Sequence, residues 1–177
     1  MSDQPAKPGL PPGFLIRPAT AGDAGTILGF IRALAEYERL VHEVVATEET
    51  LRSTLFGPTP HAEVALAELD GRPVGFALFF HNYSTFLAKP GIYLEDLFVL
   101  PEFRARGFGK ALLLHVGRLA HQRGCGRYEW AVLDWNEPSI RFYKSLGARP
   151  MDDWTVMRVT GEGLKQMANA LPMPPIP

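Results

Sequence analysis

The chain has 177 residues, 46% of them hydrophobic and 21% charged, a balance that suits one soluble domain with a sizeable core. Eighteen Lys and Arg against nineteen Asp and Glu leave a net charge of −1, so there is no general basic face for nucleic acid. The single cysteine, Cys125, excludes an internal disulfide, and no apolar run is long enough to span a bilayer.

Residues 1–13 carry four prolines and residues 170–177 are again proline-rich, so both are expected to be disordered tails around one domain over 14–169. The polar start does not read as a secretory leader, and a cytoplasmic location is expected. Phe14 to Arg17 reads as a strand. Asp23 can cap a helix whose Ile27, Leu28, Ile31, Leu34 and Ala35 form one apolar stripe, with Tyr37 and Glu38 at its far end. A short helix from Glu48 to Phe56 stops at Gly57. Val64 to Leu69 and Val74 to Phe80 form a hairpin around Asp70-Gly71. Tyr93 to Val99 is the next strand, and Gly107 to Gln122 is a helix with Leu112, Leu113, Val116 and Leu119 inward. A strand over Tyr128 to Leu133 follows. Pro138 suits the first turn of another helix and Gly147 its end. Trp154 to Val159 is expected to close the sheet, and Gly163 to Ala168 to add a last helical turn or two. This order predicts a mixed α/β fold around a central sheet.

The most informative stretch is Ile92 to Val99 and its continuation into Arg104-Ala-Arg-Gly-Phe-Gly-Lys110. A strand, a turn and a glycine-rich helix start expose backbone N–H groups where an anionic ligand can sit. It is not a P-loop, because Arg104 stands where that loop needs its first glycine and Ala111 where it needs Ser or Thr. It is not a dinucleotide fingerprint either, since Leu112 replaces the third glycine. The remaining pattern, R-x-x-G-x-G from Arg104 to Gly109, resembles the pyrophosphate-binding motif of the GNAT acetyltransferases. Trp135-Asn-Glu-Pro-Ser-Ile-Arg-Phe-Tyr-Lys-Ser-Leu-Gly-Ala148 resembles the same family's later strand-to-helix motif. Three strings, Tyr93-Leu-Glu-Asp96, Asn136 to Ile140 and Ile16 to Ala21, are similar to the diamine (spermidine/spermine) N-acetyltransferase branch. The resemblance covers residues 14 to 169.

The resemblance implies a mostly antiparallel sheet flanked by helices and splayed in a V between the strand ending near Val99 and the strand ending near Leu133. Acetyl-CoA would occupy the split. Its pyrophosphate would meet the amides from Ala105 through Arg106, Gly107, Phe108 and Gly109 to Lys110, with Arg104 or Arg106 adding a full charge. Gly107 and Gly109 would let the backbone come close. Its pantetheine amides would pair with the strand edge at Leu97, Phe98 and Val99. Asn136, Glu137, Pro138 and Tyr143 would contribute from the second motif, Asn136 also as a helix cap.

Acetylating an amine requires removal of a proton from an ammonium of pKa about 10, polarisation of the acetyl carbonyl, and a proton for the departing thiolate. Glu95 is the candidate base, directly or through water. Tyr143 is the candidate acid, and the backbone N–H of Phe98 or its neighbour is the candidate carbonyl donor. In a regular strand Glu95 and Asp96 point to opposite faces, so only one can face the thioester unless a bulge re-aims them. The resemblance gives Tyr37, Glu38, Glu95, Asp96 and Trp154 to the amine site. The five histidines show no metal spacing. The expected enzyme acetylates a small primary amine of diamine or polyamine type, works as a homodimer, and binds neither nucleic acid nor membrane. Thialysine or another amino-acid-like amine is the alternative acceptor, and a CoA-binding regulatory module without turnover is the alternative of another class.

Overall fold

The structure is a computed structural model, and it describes residues 9–170. The tail expectations for residues 1–8 and 171–177 lie outside the described residues. The chain divides after Ala131 into two compact units.

The first unit is a five-stranded sheet in the order β1 (Phe14–Pro18), β2 (Glu63–Leu69), β3 (Arg72–Ser84), β4 (Lys89–Val99) and β5 (Arg127–Trp130). The first four strands pair antiparallel, and β5 joins β4 in parallel. The β2–β3 connection is the expected hairpin. Asp70 and Gly71 both take positive φ, 52° and 77°, the mirror-image turn whose twist matches the flanking strands.

Helices α1 (Ala24–Glu38) and α2 (Glu48–Phe56) cover one face. Ile27, Leu28 and Phe30 of α1 and Leu51 and Leu55 of α2 pack with Val64, Leu66, Phe76, Leu78 and Phe98 of the sheet. Phe30 stacks on Phe76 at 5.5 Å and tilts against Phe98 at 6.3 Å. Phe76 is fully buried, and truncating such a ring to alanine costs about 3–5 kcal/mol. Helix α3 (Phe108–Gln122) lies on the other face. Val99 reaches toward Gly109 of α3, whereas its neighbour Phe98 enters the α1/α2 core, the alternation a strand imposes. Phe108, Leu112, Leu113 and Val116 form the buried stripe of α3, as its spacing predicts for three of them.

Asp23 stands at the N-cap position of α1 without capping it. Its carboxylate instead accepts from Arg17 twice at 2.8 Å, from the Thr20 amide at 2.7 Å and from the Thr20 hydroxyl at 2.9 Å. Arg17 also reaches Glu68, Nε to Oε1 at 2.9 Å, tying β1, β2 and the start of α1 together.

The second unit contains α4 (Glu137–Ser145) and α5 (Gly161–Asn169). The expected sheet-closing strand over Trp154 to Val159 is absent: the segment forms no helix or strand, and Trp154, Val156 and Met157 are solvent-exposed. Alternation of large side chains sets a propensity, but a strand needs a partner edge for its backbone groups, and none is paired there. Likewise β5 ends at Trp130 rather than Leu133, where its pairing with β4 runs out.

Candidate active site

Strand β4 carries a bulge at Glu95. Leu78 of β3 lies opposite Asp96 and Phe79 lies opposite Leu94, which leaves Glu95 as the extra residue. Directly opposed residues share a face, so Leu94 and Ile92 lie on the α3 side, whereas Asp96 and Phe98 lie on the α1/α2 side with Leu78 and Phe76. These four residues are all even-numbered, and only an inserted residue can divide them between two faces. Glu95 itself is solvent-exposed at the bulge, and Asp96 is turned inward.

The bulge lies where the sheet opens. β5 pairs with β4 only from Gly91 to Leu94, so beyond the bulge that side of β4 has no strand beside it among the described residues. The Leu100 amide donates to Val74 O at 3.0 Å, toward β3. By alternation the polar groups of Phe98 also turn to β3, while those of Leu97 and Val99 turn to the open edge. Phe98 thus has its ring in the core and its backbone turned inward, unlike the edge role the sequence suggested for it.

Leu100 leads into a short 3-10 turn, Pro101–Phe103, and then the loop 104–107. Ala105 sits at φ 60° and Gly107 at φ 85°, two left-handed residues just before α3. For alanine this conformation stores roughly 1–2 kcal/mol. A turn of this kind directs successive amides to one side, at the positive end of a 15-residue helix. Gly107 is required by its φ, but Gly109 is not required by the fold. A Cβ added there would meet Val99 Cγ2 at 3.7 Å, an ordinary contact, so the bare backbone at 109 suits close approach by something outside the chain.

Two arginines flank this turn in different ways. The Arg104 Nε donates to the Val99 carbonyl at 3.0 Å, and its guanidinium lies 4.7 Å from the Tyr37 ring centroid and 5.4 Å from that of Phe98. Arg106 lies over Phe103 at 5.6 Å and Phe108 at 5.3 Å, and Lys110 is exposed in the first turn of α3.

On the α1/α2 face the inward Asp96 opens into a cavity of about 300 Å³. Ile31, Leu34 and Ala35 of α1 and Leu40, Val44, Val45 and Ala46 beyond it supply apolar wall, while Glu38, Glu43 and Asp96 supply three carboxylates. Burial, reinforced by Glu95 and Glu38, pushes the Asp96 carboxyl up to about 6. Burial also raises Glu38. Among the described residues no lysine or arginine lines this cavity. Glu38 and Asp96, singled out separately from sequence, therefore share one chamber, and Tyr37 stands beside it under Arg104. The sequence reading missed Glu43 and Leu40. They reach the chamber because α1 ends in a left-handed residue, Arg39 at φ 64°, with the Leu40 amide returning to Ala35 O at 2.8 Å. Glycine is the usual signal for that ending, and arginine conceals it.

In the second unit Asn136 is buried and caps α4, its side chain accepting from the Ser139 amide at 3.4 Å. Glu137 and Pro138 form the first turn, and Gly147 at φ 92° ends the helix, with the Ala148 amide returning to Tyr143 O at 3.2 Å. Tyr143 is half-buried, its ring 5.3 Å from Phe142, and Trp154 is 72% exposed. Among the described residues no His, Cys, Asp and Glu cluster has a metal-site arrangement, and no helix is long and apolar enough to cross a membrane.

The profile of the acetyltransferase (GNAT) family matches residues 31–148. The thialysine N-epsilon-acetyltransferase of Sus scrofa is 41% identical to this chain, covering 87% of it and 96% of the relative. The L-ornithine N5-acetyltransferase of Arabidopsis thaliana is 35% identical, covering 85% and 86%. Among solved structures, an integron cassette protein of V. cholerae superposes with a TM-score of 0.75 at 24% identity, covering 88% of this chain and 98% of that one. An aminoglycoside acetyltransferase from a soil metagenome gives 0.67 at 19% identity, covering 84% and 95%. The structural likenesses speak to the fold. The family match over more than half of the chain, together with the curated relatives at 35% and 41% identity, makes this protein a member of the acetyltransferase (GNAT) family, an acyltransferase.

Proposed function

We propose that residues 14–169 work as one N-acetyltransferase domain that moves an acetyl group from acetyl-CoA to a primary amine of a small, cationic acceptor. The observation that carries this reading is the bulge at Glu95. It lies where β5 ends beside an open strand edge on β4, and the inserted residue turns Asp96 into an acidic chamber with apolar walls. Methylenes suit those walls and ammonium groups suit Asp96, Glu38 and Glu43. Tyr37 and Trp154 are assigned to the same acceptor.

The chain's groups fit the donor. The amides of 105–110, with Arg106 and Lys110, are assigned to its diphosphate, and the bare backbone at Gly109 leaves room for it. The edge groups of Leu97 and Val99 are assigned to its pantetheine amides, and an amide of that edge, rather than of Phe98, to its acetyl carbonyl. Bound acetyl-CoA would supply a thioester as the acyl source. Glu95, exposed at the bulge, takes the ammonium proton on a carboxylate oxygen, directly or through water. Asp96 and Glu38 hold and orient the cation. Tyr143 supplies a proton from its hydroxyl as the thiolate departs, and Asn136, Glu137 and Pro138 present the helix that carries it. Resemblance to the diamine branch supports a homodimer.

Amino-acid-like amines are the second reading, favoured by the thialysine and ornithine acetyltransferases among the relatives. Thiol release from acetyl-CoA over a panel of diamines, polyamines, thialysine, ornithine and peptides decides between them. Preference for diamines is expected. Absence of turnover with every amine would defeat the functional reading. Tyr143→Phe should lower kcat by about 10²–10⁴-fold while CoA affinity holds, because one proton donor is lost. An unchanged kcat would remove Tyr143 from the mechanism.

A further inference from the structure

Arg104, within the donor turn, also touches the end of α1. Its Nε donates to the carbonyl of Val99, on the open edge of β4, at 3.0 Å. Its guanidinium plane lies near two rings, Tyr37 at 4.7 Å and Phe98 at 5.4 Å. Phe98 is anchored in the core against Phe30. Tyr37 directly precedes Glu38, which lines the acidic chamber.

We propose that Arg104 is a positioning residue of the acceptor chamber: it clasps Tyr37 against the end of β4 and thereby couples the donor turn to the Glu38 wall. The inference rests on the functional reading above. The geometry needs arginine. A planar guanidinium donates through Nε and presents a face to aromatic rings at once, whereas a lysine keeps the charge but has one compact ammonium that cannot donate to Val99 O and stack on the rings together. A phosphate contact, by contrast, tolerates lysine as a point charge. Val99 and Ala105 flank Arg104 within the donor's assigned surface, so the clasp ties that surface to the segment that carries the Glu38 wall.

Arg104→Lys tests this. The expected result is an acceptor KM raised about tenfold, with kcat and the calorimetric Kd for CoA alone each within about twofold of wild type. Tyr37→Leu should give the same signature, and adding Arg104→Lys to it should change the acceptor KM by less than about twofold, since the contact is already gone. An unchanged acceptor KM in Arg104→Lys overturns the proposal. So does a tenfold loss of CoA affinity with acceptor KM retained, which would make Arg104 a phosphate ligand, or a double variant whose KM effects multiply in full. Should the wild-type chain acetylate no amine, the functional reading fails separately. The clasp is then read from thermal unfolding, where coupled Tm losses for Arg104→Lys and Tyr37→Leu support it and strictly additive losses overturn it.

Discussion

Two clusters of carboxylates in the first unit illustrate opposite uses of one functional group. At the start of α1, Asp23 accepts from Arg17 and Thr20, and Arg17 bridges onward to Glu68. Those bonds hold the Asp23 carboxyl well below the usual carboxylate range, with the Arg17 guanidinium the largest cause. At the end of α1, Asp96 and Glu38 face an apolar-walled chamber with no lining cation, and both are pushed upward, chiefly by burial. The first cluster is complete within the chain. The second has no lining cation among the described residues, which supports the acceptor site proposed above.

Removing the inward carboxylate should break the comparison most sharply. Asp96→Asn is expected to lower kcat/KM for a cationic amine by about 100-fold or more, the usual scale for truncating one partner of a desolvated charge pair. The same variant should be more stable than wild type at pH 7.5. The Asp96 carboxyl is raised from an ordinary value near 4 to about 6, so the folded state holds the extra proton between them. Stability therefore falls as pH rises through that window and is level above it. Asparagine carries no charge to bury and should gain on the order of 1–3 kcal/mol, visible as a higher Tm. For the wild type, acceptor affinity should rise as pH increases through about 6. A destabilised Asp96→Asn with intact turnover would remove the distinction between the clusters.

The converse substitution, Asp23→Asn, should lose roughly 2 kcal/mol of stability, between the values for exposed and buried ion pairs, with kcat unchanged. The sign with pH is opposite to that at Asp96. The depressed Asp23 contributes stability that is fully present above the unfolded value near 4 and is lost as pH falls below it. Urea unfolding of wild type and variant at pH 7 and pH 3 checks this: the gap between them should narrow at pH 3. A gap of equal size at both values would mean that Asp23 acts through packing and not through charge.

Gly109→Ala carries the comparison to the backbone. Its added methyl meets only Val99 at ordinary distance, and alanine is the better helix former, so Tm should hold or rise slightly. CoA affinity should fall about tenfold by calorimetry if the proposed donor comes close to this backbone. Unchanged affinity would show that the donor does not come close there.

Much of this arrangement was legible beforehand where local chemistry decides it. Asp70-Gly71 set the hairpin, Asn136, Pro138 and Gly147 bounded α4, and Leu112, Leu113 and Val116 of α3 faced inward as their spacing required, with Leu119 only half-buried. The illegible parts depend on pairing or on unusual residues. A bulge at Glu95 leaves the sequence pattern of β4 compatible with either face for Asp96, and only its register with Leu78 and Phe79 decides. Arg39 ends α1 where glycine would have announced the turn, so Glu43 and Leu40 gave no sign of lining a chamber. Trp154 to Val159 has a strand's composition without a paired edge, and composition cannot supply one.

The smallest expected effect concerns strain. Ala105 holds a left-handed φ of 60° within the donor turn, a conformation that glycine adopts without steric penalty. Relief of that penalty should exceed the extra chain entropy glycine brings to the unfolded state, leaving a gain of about 0.5–1 kcal/mol. For a domain of this size the gain corresponds to a Tm rise of about 1–4 °C. CoA affinity should stay within about twofold, since the same amides keep the same directions. The comparison with Asp23 then becomes general: the start of α1 satisfies its own groups, whereas the 104–107 turn and the Asp96 chamber each hold a local cost that the proposed binding would offset. A loss of stability in Ala105→Gly would show instead that the alanine side chain contributes more than its backbone costs, and the strain would belong to the acceptor chamber alone.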